Sequence, residues 1–72
     1  MFQVECIDRT KNIVTKRFHI HGTNTDLLVR NVKKSLRITG MRCTIEKNKT
    51  SEVFSFVLIP HNQNIKVLVK EI

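Results

Sequence analysis

One amphipathic stretch, Thr23 to Gly40, constrains the fold of this chain most strongly, because no other segment has a helical pattern. Its apolar residues recur at helical spacing and, at about 100° per residue, share one side of a helix: Leu28, Val29, Val32 and Leu36. Thr23 and Asp26 form a capping-box-like pair at the start, and Gly40 is a typical helix stop. A helix with one apolar side needs a surface to pack on, which the rest of the chain must supply.

Five other segments have the composition of β-strands: residues 2–8, 13–21, 41–46, 52–59 and 65–70. Most of them alternate apolar with polar positions, which is typical of half-buried strands. The fourth is apolar on both faces and is predicted to be central, whereas the lysines of the fifth favour an edge position. A polar turn is expected at 47–50. By parity Val14, Phe18 and Ile20 should point inward, and Phe56 should pack on the apolar side of the helix.

The order β-β-α-β-β, with a fifth strand at the end, predicts an α+β fold in which one helix packs on a mixed sheet. Seventy-two residues suffice for a small single domain, 1–72, with one modest core. If strands two and three are parallel, the connection through the helix should be a right-handed crossover. The order of elements resembles the β-grasp arrangement of ubiquitin-like domains. The chain ends in Val-Lys-Glu-Ile, not Gly-Gly, so the resemblance does not imply covalent conjugation. A five-stranded sheet around the helix in another strand order is the alternative topology.

Positive charge is concentrated on and around the predicted helix. The chain has 13 Lys and Arg against 6 Asp and Glu, a formal net charge of +7. Between Leu27 and Ile45 there is no acid, and the basic residues there line the arc opposite the apolar one or follow it: Arg30, Lys33, Lys34, Arg37 and Arg42. We predict that these five residues bind nucleic-acid phosphates with little sequence specificity, or else an acidic protein surface. An ordinary solvated helix face explains the same pattern equally well.

Residue types that catalysis or cofactor binding require are sparse. Acids are scattered, and the two glycines form no phosphate-binding loop, so we expect no enzymatic activity and no cofactor. His19 and His21 share a strand face but lack an evident third ligand, and no metal site is expected. Cys6 and Cys43 are expected to be reduced packing residues. Without a secretion signal or an apolar run of about 18 residues, the chain is expected to be cytoplasmic and to have no membrane partner.

The sheet face away from the helix is the second candidate surface. Alternation leaves four apolar residues there among polar neighbours: Ile7, Val57, Ile59 and Leu68. As a contiguous patch they would form a protein interface, whereas scattered they would be ordinary surface residues. The alternative function is therefore a protein-interaction module, which binds or inhibits a larger protein or forms a homodimer through this face. The strand order decides between a patch and scattered residues.

Overall fold

The computed structural model describes residues 1–49 and 54–72, and in them the chain is mostly sheet with a single short helix. The elements follow one another in the expected chain order: β1 (Phe2–Asp8), β2 (Ile13–Ile20), α1 (Thr25–Ser35), β3 (Cys43–Lys49), β4 (Phe54–Pro60) and β5 (Ile65–Glu71). β3 continues through Lys49, where a turn was predicted. Thr50 and the expected first residues of the fourth strand, Glu52 and Val53, lie outside the described residues.

The predicted fold is wrong in how the strands assemble. They form one sheet in the order β2-β1-β5-β4-β3, and every neighbouring pair is antiparallel. The predicted edge position of the fifth strand is wrong, because β5 pairs with β1 on one side and with β4 on the other. A mostly antiparallel-sheet protein with a short helix therefore replaces the expected α+β fold with its mixed sheet and β-grasp order. Short connections make β3, β4 and β5 successive antiparallel neighbours, and the β1–β2 hairpin pairs with the free edge of β5. Because β2 and β3 occupy opposite edges, the expected crossover between parallel neighbours does not exist.

The core lies between the helix and the three central strands. Its buried apolar members are Phe2, Val4, Cys6, Leu28, Val32, Ile38, Phe56, Leu58, Val67 and Val69. Phe56 is in one cluster with Leu28 and Val32, and Leu36 packs against that cluster, as predicted. In the described part of the chain, a single helix of 11 residues packs on a sheet of five strands. The helix therefore leaves Ile13 and Ile45 on the edge strands largely exposed.

The helix begins later than predicted. Asn24 is the N-cap in place of Thr23, and its side-chain oxygen accepts a hydrogen bond from the backbone N–H of Asp26 at 2.8 Å. Gly22 allows this close entry, since a Cβ at that position would collide with the side chain of Leu28. The cap satisfies one of the free amides at the helix start and fixes where α1 leaves the sheet edge.

The helix also ends earlier than predicted, at Ser35 instead of near Gly40. Arg37 adopts the left-handed conformation with φ 60°. Its N–H donates to the carbonyl of Lys34 at 3.2 Å, and the N–H of Ile38 donates to the carbonyl of Lys33 at 2.9 Å, which are the hydrogen bonds of a Schellman C-cap. The early stop carries Ile38 into the core, where it is buried.

A register shift in the β1–β2 hairpin corrects the predicted orientation of Val14. Cys6 lies opposite Lys16, but the next pair joins Ile7 to Val14, so Thr15 is an extra residue. The Thr15 hydroxyl donates to the Cys6 carbonyl at 3.2 Å. One inserted residue moves those beyond it to the other face of a strand. Val14 therefore shares the outer face with Ile7 and is 43% exposed.

Candidate nucleic-acid interface

The structure divides the five predicted phosphate-binding residues by position. Arg30, Lys33 and Lys34 lie on α1, whereas Arg37 follows the end of the helix and Arg42 precedes β3. All are exposed except Lys33, which is half-buried. The expected i, i+3, i+4, i+7 line thus loses its last member, because the Schellman stop takes Arg37 off the helical path. Three cations remain together on one helix surface.

Arg42 belongs with the opposite side of the molecule. The backbone N–H of His61 donates to the carbonyl of Arg42 at 2.9 Å, so the β3–β4 ladder continues one residue beyond β3. Side chains alternate along a strand, and Arg42 therefore has the parity of Thr44, which pairs with Ile59 on the outer face. The structure does not bring Arg42 together with the helix cations.

A cavity of about 260 Å³ lies between α1 and the turn that follows it. Its lining residues are Asp26, Val29, Arg30, Lys33, Thr39 and Gly40. The first four recur at i, i+3, i+4 and i+7, so they share one flank of the helix. The turn is closed by a hydrogen bond from the N–H of Met41 to the carbonyl of Ile38 at 3.1 Å. The turn places Thr39 and Gly40 in the lining of the same cavity as Arg30 and Lys33, two of the predicted cations.

Within the described residues, none of the five cationic side chains forms an ion pair or a hydrogen bond. The ion pair that this part of the chain does form is on the outer sheet face, where Arg17 Nη2 lies 2.8 Å from Glu5 Oε2. Asp26 is the only acid on the helix, and it lines the cavity without pairing to Arg30. Unpaired charges of one sign create a positive potential that an anionic ligand can use.

The outer sheet face brings three of its four predicted apolar residues together. Leu68 on β5 lies opposite Val57 on β4, and Ile59 occupies the next outer-face position along β4. Ile7 is set apart, because its β5 partner is Lys66. All four apolar residues are half-buried. The patch is therefore contiguous but small, with lysines on both sides of Leu68 along β5.

The His, Cys, Asp and Glu side chains of the described residues do not assemble into a metal site. In residues 1–49 and 54–72, no three His, Cys, Asp or Glu side chains are close enough to hold a metal ion. Both His19 and His21 are exposed. Cys6 is buried and Cys43 half-buried, and both are free thiols. No helix in the described part of the chain has the length and apolarity needed to cross a membrane.

Sequence analysis missed Asp26, Thr39 and Gly40 as cavity residues. The sequence favours Gly40 as a helix end, and no pattern in the sequence marks Thr39 as a binding residue. The cavity forms only because the chain turns at Arg37. Comparison with known proteins adds no candidate, since no family model, curated protein or solved structure matches this chain. The geometry of the helix surface is therefore the basis for a functional conclusion.

Proposed function

We propose that this chain is a small, non-enzymatic nucleic-acid-binding protein with an accessory or regulatory role, and that it contacts phosphates through the surface of α1. The observation that carries the proposal is the group Arg30, Lys33 and Lys34. These three cations share one helix surface, and within the described residues their side chains have no bonding partner. Arg37, just beyond the helix, adds a fourth positive charge nearby in the chain.

The energetics of the helix support an anionic partner. Arg30 and Lys34 are like charges at i, i+4, an arrangement that opposes helix formation by about 0.2–0.5 kcal/mol. A bound phosphate relieves this repulsion, and an arginine can donate two parallel hydrogen bonds to it. All four Phe side chains belong to the core or pack against it, so none is offered for stacking on bases. Binding should therefore depend on the backbone of the nucleic acid and vary little with its sequence.

A titration against duplex and single-stranded DNA and RNA at several salt concentrations tests the proposal. Contacts with two or three phosphates predict that log K falls with log salt at a slope between about −1.8 and −2.7 on duplex DNA, about −0.9 for each phosphate. Absence of binding to every nucleic acid at about 50 mM salt would contradict it. The helix surface would then be a solvated face or a site for an acidic protein. A pull-down distinguishes the two, because only a site for an acidic protein would capture a partner that a charge-neutralised variant does not.

A homodimer through the outer sheet face is the second candidate function, favoured by the direct pairing of Leu68 with Val57. Lys66 and Lys70 on the same strand would meet cations of the second copy, which weakens this candidate. Light scattering of the parent chain at about 100 µM tests it, because an interface of standard size would be assembled there. A dimer that Leu68→Glu converts to a folded monomer would favour the sheet face, and a monomeric parent chain would remove this candidate.

The proposal includes a cytoplasmic location. The support is cysteine usage, since two cysteines are too few for the disulfide framework that is typical of small secreted domains.

A further inference from the structure

We propose that the cavity between α1 and the Thr39–Gly40 turn is a subsite for one phosphodiester of the bound strand, contacted by Arg30 and Lys33. This inference rests on the proposed function and goes beyond it by assigning unequal roles to the helix cations. At about 260 Å³ the cavity is smaller than the roughly 300–1,000 Å³ of pockets that hold drug-sized ligands. It suits a single small group with its adjoining sugar atoms.

The polar groups of the cavity match a phosphate. Two positive charges come from one side of the helix, and Thr39, a residue with a hydroxyl group, lines the cavity from the turn. An arginine donates in a planar fork and a lysine in several directions, so together they can reach different oxygens of one phosphate. Gly40, with φ 85°, lines the opening without a side chain, and even a Cβ there would meet nothing within 4 Å. The approach to the cavity beside the turn is therefore open.

Asp26 sets the charge that the cavity can accept. Its carboxylate lines the same cavity as Arg30 and Lys33, so the lining carries a net charge of +1. A phosphodiester carries one negative charge and therefore neutralises the lining, so a second phosphate would meet no net positive charge. The acid thus limits the cavity to a single phosphate. Replacing it with an isosteric neutral residue should strengthen phosphate binding, an effect that a purely structural role of Asp26 does not predict.

Lys33 and Lys34 form a matched pair that can test this assignment. They are adjacent, equally charged and on the same helix, but about 100° apart around its axis. Lys33 is half-buried and lines the cavity, whereas Lys34 is exposed and does not. Loss of either charge lowers the net charge equally, so any difference between the two variants reports the cavity and not the overall electrostatics.

The test is a titration with inorganic phosphate, followed by NMR through the amide resonances of Thr39 and Gly40, for the parent chain and three variants. In the parent chain both resonances should shift and saturate. Lys33→Gln should weaken phosphate binding about fivefold or more, because a charge-assisted contact is lost. Lys34→Gln should weaken it less than about twofold, since only a screened charge is removed. Asp26→Asn should tighten binding, and far-ultraviolet circular dichroism checks that each variant is folded.

The same four proteins are then titrated with a duplex oligonucleotide. The subsite is supported if Lys33→Gln weakens binding of the oligonucleotide more than Lys34→Gln does. If both variants weaken it equally, the subsite is wrong while the proposed function stands. Failure of phosphate to shift Thr39 and Gly40 also overturns the subsite. Phosphate shifts in a parent chain that binds no nucleic acid would overturn both the strand assignment and the proposed function.

Discussion

The helix surface and the outer sheet face both carry cations, but they are arranged differently with respect to acids. On the sheet, Glu5 lies opposite Arg17 and bonds to it through two guanidinium nitrogens at 3.2 and 2.8 Å. Glu46 lies on the same face opposite Val57. On the helix, Arg30, Lys33 and Lys34 have no such partner within the described residues. The sheet face is thus mixed in sign, whereas the helix surface is almost entirely positive.

This difference makes the helix surface, and not the sheet face, the candidate for a function that depends on charge. Cross-strand pairs of opposite charge stabilise a sheet, so the pair of Arg17 and Glu5 has a sufficient structural explanation. On the helix, Lys33 and Lys34 lie in the last turn, where cations suit the negative end of the helix dipole. The repulsion between Arg30 and Lys34 at i, i+4 has no such compensation within the chain. Both surfaces rest on the same core, and substitutions can therefore separate what each one contributes.

The largest expected loss of stability comes from a substitution in the core, on which both surfaces rest. Phe56→Ala removes a side chain that is 1% exposed at the centre of the core and should lower the free energy of unfolding by about 3–5 kcal/mol. A domain of this size has little more than that in total. Phe54→Ala, a half-buried neighbour on the same strand, is the control and should cost less. Thermal denaturation measures both, and a Phe56→Ala variant with the parent melting temperature would contradict the described core.

The next effect concerns only the helix. Asn24→Ala removes the N-cap hydrogen bond to Asp26 and should destabilise the chain by about 1 kcal/mol. Thr23→Ala, at the position that the sequence favours as the cap, should change stability by less than about 0.5 kcal/mol. Urea denaturation of the two variants distinguishes them. If Thr23→Ala lowers stability more than Asn24→Ala does, Thr23 is the cap, as the sequence predicts, and the described cap is wrong.

Arg37 affects both stability and binding. Its positive φ lowers the stability of the chain, whereas its charge contributes to nucleic-acid binding. Arg37→Gly should stabilise the chain by about 0.5–1 kcal/mol, since glycine adopts a positive φ without the cost that a side chain adds. Arg37→Ala removes the same charge but keeps the cost, so it should not stabilise. Both should weaken nucleic-acid binding alike. Equal stabilities of the two variants in urea would show that Arg37 is not strained in solution.

The smallest effect is expected on the sheet face. A double-mutant cycle with Glu5→Gln and Arg17→Gln should give a coupling energy of about 0.2–1 kcal/mol, because the Arg17 side chain is 58% exposed and the pair is screened by solvent. Denaturation at low and high salt measures it, and the coupling should fall as salt increases. A coupling near zero at low salt would mean that the sheet cations are as unpaired as those on the helix.

The chain order of the elements could be predicted because each depends on local patterns. Alternation identifies the strands, and the apolar side of α1 identifies the residues that meet Phe56. The strand order depends on which edges meet across the whole chain, and no local pattern distinguishes an antiparallel β1–β5 pair from a parallel one. Val14 was misplaced because the extra residue Thr15 leaves no mark in the alternation.

The cavity was beyond sequence analysis for a similar reason. It depends on Arg37 stopping the helix early, in a conformation that usually takes glycine. With Gly40 available three residues later, the sequence favours the wrong stop. Burial of Ile38 favours the early stop, and this contribution comes from tertiary packing that the local sequence does not show. The cations themselves were predictable, whereas their division into cavity and surface residues was not.

The measurement that tests the central claim most directly compares two triple variants in a salt-dependent titration against one duplex DNA. One carries Arg30→Gln, Lys33→Gln and Lys34→Gln, and the other carries Arg17→Gln, Lys66→Gln and Lys70→Gln. Each removes three positive charges, so the net charge is identical in both. The helix variant should lose most of its binding, with a salt slope close to zero for any binding that remains, whereas the sheet variant should keep the parent slope. Equal losses from the two variants would contradict the claim, because net charge and not the helix surface would then hold the nucleic acid.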